Sequence, residues 1–175
     1  QIVFIIDECE EQVWQRIASC SEHLYFIDTT AHQYSEKKDA EFTNEVLAKH
    51  NARQLIVDSY LLGKAFELAI TPTTTIIVFD DLEREHMCHR LFDMKWAGEQ
   101  TALRYKNKVP EFCHRYLGPD YCLLAPQYCS SRPRNNEISE QLNKQSVAMS
   151  NSARVLISLG GGGDLALIEG VVKTL

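Results

Sequence analysis

The sequence predicts an α/β fold in which helices cover a parallel sheet. Two apolar runs, at residues 55–57 and 75–79, lack the polar alternation of a half-exposed strand, which is typical of strands buried in a parallel sheet. A helix-length segment separates them, as a crossover between parallel strands requires. Ligands of such sheets bind beyond the carboxyl ends of the strands. The first candidate site is therefore this edge, whose polar residues are Asp58, Ser59, Tyr60, Asp80 and Asp81.

Strand and helix patterns alternate along the first half of the chain. In order, they are a strand at residues 2–6, a helix over 7–20, a strand at 24–28, a helix over 39–49, the strand ending at Asp58, a helix over 61–70 and the strand ending at Asp80. Because this alternation builds βαβ units with right-handed crossovers, it indicates a Rossmann-like parallel sheet with flanking helices.

The pattern loosens after residue 82. Residues 91–96 indicate one more short strand, and residues 97–110 are mostly polar and indicate a loop. The pair Gly118-Pro119 marks a turn. A first domain is therefore expected over residues 1–150.

A second domain is expected to begin at residue 151 and to continue to residue 175. Its strand run at 154–159 leads into four glycines at 160–163, whose backbone amides suit either a phosphate or sugar contact or a tight turn. The apolar helix expected over 165–175 would favour self-association of the chain if it were exposed.

Charge and composition argue against two classes of protein. The formal net charge is −6 at pH 7, whereas a general nucleic-acid binder needs a surplus of Lys and Arg for phosphates. No apolar run approaches the roughly 20 residues of a membrane span. The six cysteines form no CxxC pair, which favours reduced thiols in a cytoplasmic protein over a disulfide framework.

The polar residues at the sheet edge have structural interpretations as well. Asp80 and Asp81 are better explained as caps of the following turn than as metal ligands. Tyr60 fits either a packed aromatic side chain or a hydroxyl aimed at a ligand, and the local sequence favours the packed aromatic.

Two groups of histidine and cysteine residues are candidates for a metal site or a catalytic pair. The spacing of His86, Cys88 and His89 fits no standard zinc motif, so a solvated or substrate-facing segment is expected there. Cys113 and His114 are adjacent and point in different directions on one element, which argues against a catalytic dyad.

A set of short motifs comes in the order and approximate spacing of one known family. The motifs are VDSYLL at 57–62, VFDDL at 78–82, His86-x-Cys88, Tyr105 with Val109-Pro110, LGPDYCLLAP at 117–126, and LISLGG at 156–161 with Asp164. Over residues 50–175 the chain resembles the nucleotide-sugar hydrolases of pseudaminic acid biosynthesis, which are also known as spore-coat polysaccharide biosynthesis proteins.

This resemblance implies that the chain is the N-terminal half of a two-domain, GT-B-like fold. The implied reaction is hydrolysis of a UDP-linked 2,4-diacetamido-2,4,6-trideoxy sugar, in which water attacks the anomeric carbon and UDP leaves. It needs neither a metal nor another cofactor, and the implied partner is the UDP-linked amino sugar, with no nucleic acid and no membrane span.

The resemblance also implies site residues. Tyr60 matches the family's active-site tyrosine, whose hydroxyl positions the substrate. Ser59 and Asp81, at the same strand edge, are further candidates for substrate contact, and Asp58 and Asp80 keep structural roles. The glycine loop that lines the family's cleft is matched by Gly160, Gly161 and Asp164.

The chain departs from the family at several points. Its first strand is not followed by the Gly-His loop that carries the family's acid/base histidine, and the C-terminal half has no counterpart. Ala125 and His89 replace the family's arginine and aspartate. Two alternatives therefore remain, namely a glycosyltransferase-like domain of the same architecture and a non-catalytic sugar-binding domain in surface-polysaccharide or flagellin glycosylation.

Overall fold

Parallel strands in two sheets form the framework of the part of the protein that the structure describes. The computed structural model describes residues 2–7, 9–31 and 34–124, together with Gly170. The smaller sheet pairs β1 (Phe4–Ile6) with β2 (Leu24–Phe26). The larger sheet has the order β3-β4-β5-β6, with bounds Gln54–Asp58, Thr75–Phe79, Arg90–Asp93 and His114–Leu117. Because all the pairings within these sheets are parallel, the predicted α/β class is confirmed.

Three α-helices connect the first four strands: α1 (Glu11–Ala18), α2 (Glu36–Lys49) and α3 (Lys64–Ala69). Helix α2 begins three residues earlier than predicted, because the Ser35 hydroxyl accepts a hydrogen bond from the Lys38 backbone N–H at 3.3 Å and caps the helix. The carboxylates of Glu36 and Asp39 in the first turn favour the same start through the helix dipole.

The hydrophobic core lies on one face of the larger sheet. Val57, Val78 and Leu91 of three neighbouring strands contribute to it, and α2 and α3 add further apolar residues. Those helical residues are Ala40, Leu47 and Phe66, with Ile70 directly after α3. The core thus joins the two helices to the sheet that carries the candidate edge.

The other face of this sheet carries an aromatic row. The Phe79 and Phe92 rings are 5.1 Å apart, and Phe92 stacks on Tyr116 at 4.5 Å. On the same face, Ile56 is 64% exposed, so the prediction that β3 is buried on both faces was wrong. An apolar β-branched run specifies a strand, but how many faces are covered depends on elements distant in sequence.

Two elements after residue 82 differ from the prediction. Residues predicted as a loop include a 3-10 helix, Gly98–Leu103, and Tyr105, which is fully buried. Strand β6 was not predicted, because its sequence HRYL carries too few apolar residues to suggest a buried strand. It lies at one end of the described sheet, where only one neighbouring strand is needed.

The residues up to Leu123 form one compact unit. The predicted boundary at residue 150 and the predicted second domain at 151–175 lie outside the described residues, apart from Gly170. Within the described part of the chain, no helix is both long enough and apolar enough to cross a bilayer.

Candidate functional site

Strands β3 and β4 deliver the predicted polar residues to one edge. The two strands are parallel neighbours, with Asp58 paired to Phe79 at their carboxyl ends. Ser59 and Tyr60 therefore leave the sheet beside Asp80 and Asp81. This is the edge at which parallel sheets bind ligands.

Asp80 organises the interior of this edge. Its Oδ1 accepts a hydrogen bond from Arg84 Nε at 2.7 Å, and its Oδ2 accepts from the Arg84 backbone N–H at 3.1 Å. The Tyr105 hydroxyl lies 2.7 Å from both Oδ2 and the Asp80 carbonyl oxygen. Burial alone would raise the pKa of Asp80, but these contacts lower it to about 2. Asp80 thus caps its own turn, as the sequence predicted.

Arg84 fixes the backbone of the loop that carries Tyr60. Its Nη1 donates to the carbonyl oxygens of Tyr60 at 3.0 Å and Leu62 at 3.1 Å, and its Nη2 donates to that of Ser59 at 3.0 Å. The Ser59 hydroxyl accepts from the Leu61 N–H at 3.1 Å. Ser59 therefore shapes the loop, and its substrate-binding role stays a prediction.

The Tyr60 side chain points outward from this fixed backbone and is 69% exposed. The packed-aromatic interpretation is therefore wrong. The charge of Asp81 raises the pKa of the Tyr60 phenol, and a hydrogen bond between the two side chains adds to the shift. At neutral pH the Tyr60 hydroxyl is consequently protonated, and while it donates to Asp81 it can accept a hydrogen bond from a ligand.

Asp81 supplies a free acceptor beside that hydroxyl. Its Oδ1 is buried and has no hydrogen-bond partner within the described part of the chain. Arg104 Nη2 donates to the Asp81 carbonyl oxygen at 3.0 Å, while Arg104 Nε contacts Asp93 Oδ2 at 2.5 Å, so the backbone at Asp81 is held in place. A buried acceptor without a partner is rare, and a ligand hydroxyl or amide would satisfy it.

Directly behind this edge lies a buried histidine. His86 is 1% exposed, and its Nδ1 lies 2.6 Å from Oε1 of the buried Glu67. Its Nε2 lies 3.5 Å from Asp80 Oδ2. The Met87 backbone N–H donates to the other Glu67 oxygen. The prediction of a solvated or substrate-facing segment here was wrong, because α3 brings a carboxylate into the core as a partner for the imidazole.

Glu67 makes the protonated form of His86 favourable. Burial would lower the pKa of the imidazole, but the hydrogen bond and charge of Glu67, together with Asp80, raise it above its usual 6.5. His86 thus lies between two carboxylates that favour its protonated form.

We expect this contact to make stability fall as pH rises. Because the folded state holds the His86 proton more tightly than the unfolded chain, the stabilisation is complete below the unfolded pKa and is lost as pH rises through the higher folded pKa. Urea unfolding of the wild type and Glu67→Gln across this range should show a flatter pH dependence in the variant. Equal slopes would contradict the assignment.

The residues considered for zinc have separate partners. Cys88 contacts Cys113, and His89 Nδ1 accepts a hydrogen bond from the Ile76 N–H at 3.1 Å. Among residues 2–7, 9–31, 34–124 and 170, no cluster of three or more His, Cys, Asp or Glu side chains has the arrangement to hold a metal ion.

A surface cavity of about 490 Å³ lies at the opposite end of the strands. Its lining includes Arg53 and Thr74, which immediately precede β3 and β4. This is the amino edge of a parallel sheet, where ligand sites are not expected. The polar edge at Tyr60 and Asp81 therefore remains the better candidate.

Three of the six predicted site residues, Gly160, Gly161 and Asp164, lie outside the described residues. Their role in substrate binding therefore stays a prediction. The residues that sequence reasoning missed are Glu67, Arg84 and Arg104. Arg84 carried a weak signal, since it follows Asp80 by four positions, but Glu67 looked like an ordinary surface charge.

No protein-family model matches the chain, and a search of curated proteins finds no match either. The family assignment therefore depends on the short sequence motifs alone and stays a prediction.

Proposed function

We propose that this chain is the sugar-side, Rossmann-like N-terminal half of a GT-B-like UDP-sugar hydrolase. The substrate would be a UDP-linked 2,4-diacetamido-2,4,6-trideoxyhexose in nonulosonic (pseudaminic) acid biosynthesis. The observation that carries the proposal is the pairing of an exposed Tyr60 hydroxyl with the partnerless Asp81 Oδ1 at the carboxyl edge of the sheet. A sugar carrying hydroxyl and acetamido groups offers the donors and acceptors that this pair would bind.

In the proposed reaction the described residues orient the sugar. Water attacks the anomeric carbon, the bond to the UDP oxygen breaks, and the proton that the attacking water loses passes to the departing diphosphate or to solvent water. Tyr60 does not take that proton, because the pKa of its phenol is raised above its usual 10. His86 does not take the proton either, because it is buried against Glu67 and a substrate at the surface does not reach it. Tyr60 and Asp81 thus serve to hold the ring, and the substrate-binding role of Gly160, Gly161 and Asp164 stays a prediction from the resemblance.

A nucleotide-sugar substrate places the proposed reaction in the cytoplasm. The thiols support this location. The cysteines within the described part of the chain all carry free thiols, namely Cys9, Cys20, Cys88, Cys113 and Cys122. Free thiols persist in reducing compartments.

The second candidate is a non-catalytic sugar-binding domain in polysaccharide or flagellin glycosylation. It is favoured by the burial of His86, which leaves this edge with a binding pair and no accessible imidazole of its own. Product analysis separates the candidates. Free UDP with a reducing sugar indicates hydrolysis, a glycoside indicates transfer, and unchanged substrate with measurable affinity indicates binding alone.

Replacing Tyr60 with phenylalanine tests the sugar contact. Loss of one neutral hydrogen bond should raise the Kd for the UDP-linked diacetamido sugar by about 3- to 10-fold, measured by isothermal titration calorimetry. Thermal stability should not change, because the hydroxyl is exposed. Tyr121→Phe removes a hydroxyl from another exposed tyrosine and should leave the Kd unchanged. Equal affinities of Tyr60→Phe and wild type would remove Tyr60 from the site.

A further inference from the structure

Two cysteine thiols lie next to each other at the amino ends of β5 and β6. Cys88 Sγ is 3.6 Å from Cys113 Sγ, although the residues are 25 positions apart. Cys88 lies two residues before β5, and Cys113 immediately precedes β6. The His114 N–H donates to the His89 carbonyl oxygen at 2.9 Å, which fixes the two backbones beside each other.

We propose that Cys88 and Cys113 are a redox-active dithiol that a hydroperoxide oxidises to an intramolecular disulfide. A disulfide needs its sulfur atoms about 2.05 Å apart. The two sulfur atoms are 3.6 Å apart in the reduced protein, so a small side-chain adjustment would bring them to bonding distance. This inference does not depend on the proposed function.

The two thiols are not equivalent, and the difference assigns their order of reaction. Cys88 is fully buried, whereas Cys113 is partly exposed and can be reached by a small oxidant. The contact between the two thiols lowers the pKa of Cys113, against the effect of burial, and together with burial it raises the pKa of Cys88. The charges that act on Cys113 are Arg115 and His86, which favour the thiolate, and Glu67, which opposes it. Cys113 is therefore the attacking thiolate and Cys88 the resolving thiol.

The oxidation balances in two steps. The Cys113 thiolate attacks the peroxide, forming an S–O bond and breaking the O–O bond, and the released hydroxide takes up a proton to become water. The Cys88 sulfur then attacks the Cys113 sulfur, the S–S bond forms, the S–O bond breaks, and the leaving hydroxide combines with the Cys88 proton. The thiols lose two electrons and the hydroperoxide is reduced to water, or to an alcohol and water.

The disulfide would enclose the segment that supports the candidate edge. Tyr105, which holds Asp80, and Arg104, which holds the Asp81 carbonyl oxygen, both lie between the two cysteines. A covalent link that closes this loop restricts the unfolded chain, so the oxidised protein should melt at a higher temperature than the reduced protein.

Hydrogen peroxide treatment of a defined variant tests the proposal. Cys9, Cys20, Cys122 and Cys129 are replaced by serine, which leaves only the proposed pair. Peroxide should remove both remaining thiols, lower the mass of the monomer by two hydrogen atoms and raise Tm. Dithiothreitol should reverse all three changes.

Single substitutions in that background separate the roles. Cys88→Ser should leave a sulfenic acid on Cys113 that dimedone traps, and Cys113→Ser should leave a thiol that reacts slowly. If the variant with four serines does not fold, peptide mapping of the oxidised wild type detects the same Cys88–Cys113 disulfide. The proposal would be overturned if Cys88 and Cys113 stayed free in wild-type protein whose Cys20 and Cys122 the peroxide had oxidised. Disulfides that form only between chains would overturn it as well.

Discussion

Replacing Glu67 with alanine is expected to lower the free energy of unfolding by about 3–5 kcal/mol, because the buried His86 loses the carboxylate that supports its protonated form. Glu67 is 2% exposed, and its Oε1 lies 2.6 Å from His86 Nδ1. The Met87 N–H loses its acceptor as well. Urea unfolding at neutral pH, with an m-value equal to that of the wild type, measures the effect.

Two further variants make this expectation specific. Glu67→Gln keeps the size and hydrogen-bonding capacity of the side chain and should lose less stability than Glu67→Ala. Glu85→Ala removes a carboxylate that pairs with Lys64 at 2.9 Å on the surface, and should leave stability unchanged within error. If Glu67→Ala proved no more harmful than Glu85→Ala, the Glu67–His86 contact would not be the support described above.

Arg84→Met is expected to lower the free energy of unfolding by about 3 kcal/mol and to free the Tyr60 loop, because the buried Asp80 carboxylate loses the guanidinium that pairs with it. The variant keeps an unbranched apolar stem but loses the guanidinium and its bonds to the Ser59, Tyr60 and Leu62 carbonyl oxygens. Amide hydrogen exchange should therefore accelerate at Leu61. Unchanged protection there would show that the guanidinium does not order the loop.

Arg84→Lys separates charge from geometry. A lysine keeps the positive charge near Asp80, but its ammonium cannot bridge a carboxylate and three carbonyl oxygens as a guanidinium does. We expect this variant to recover part of the stability and little of the protection at Leu61. Equal recovery of both would mean that the charge alone fixes the loop.

The strand edge could be predicted from sequence because its information is local. The apolar runs before Asp58 and Asp80 identify neighbouring strands, and strands joined by a single helix are normally parallel and adjacent. Asp80 could likewise be recognised as a cap, because an Asp at a strand end commonly caps the next turn, here by accepting from the Arg84 backbone N–H.

The supporting contacts could not be predicted because they join residues far apart in sequence. Arg84 reaches carbonyl groups 22 to 25 positions away, and Glu67 lies 19 positions from His86. A charged residue in a short helix such as α3 is usually a solvated one, and only the packing of α3 on the sheet shows that Glu67 faces inward. The exposure of Ile56 was missed for the same reason, since a strand's sequence does not state which of its faces is covered.

The central claim is that Tyr60 and Asp81 form the sugar-binding edge of this protein. The most direct measurement is a nuclear magnetic resonance titration of the 175-residue chain with the UDP-linked 2,4-diacetamido-2,4,6-trideoxy sugar, with UDP alone as the parallel arm. We expect saturable shifts of the Ser59, Tyr60 and Asp81 resonances with the sugar nucleotide, and weaker shifts there with UDP. No shifts at these residues, or saturable shifts confined to the cavity beside Arg53 and Thr74, would contradict the claim.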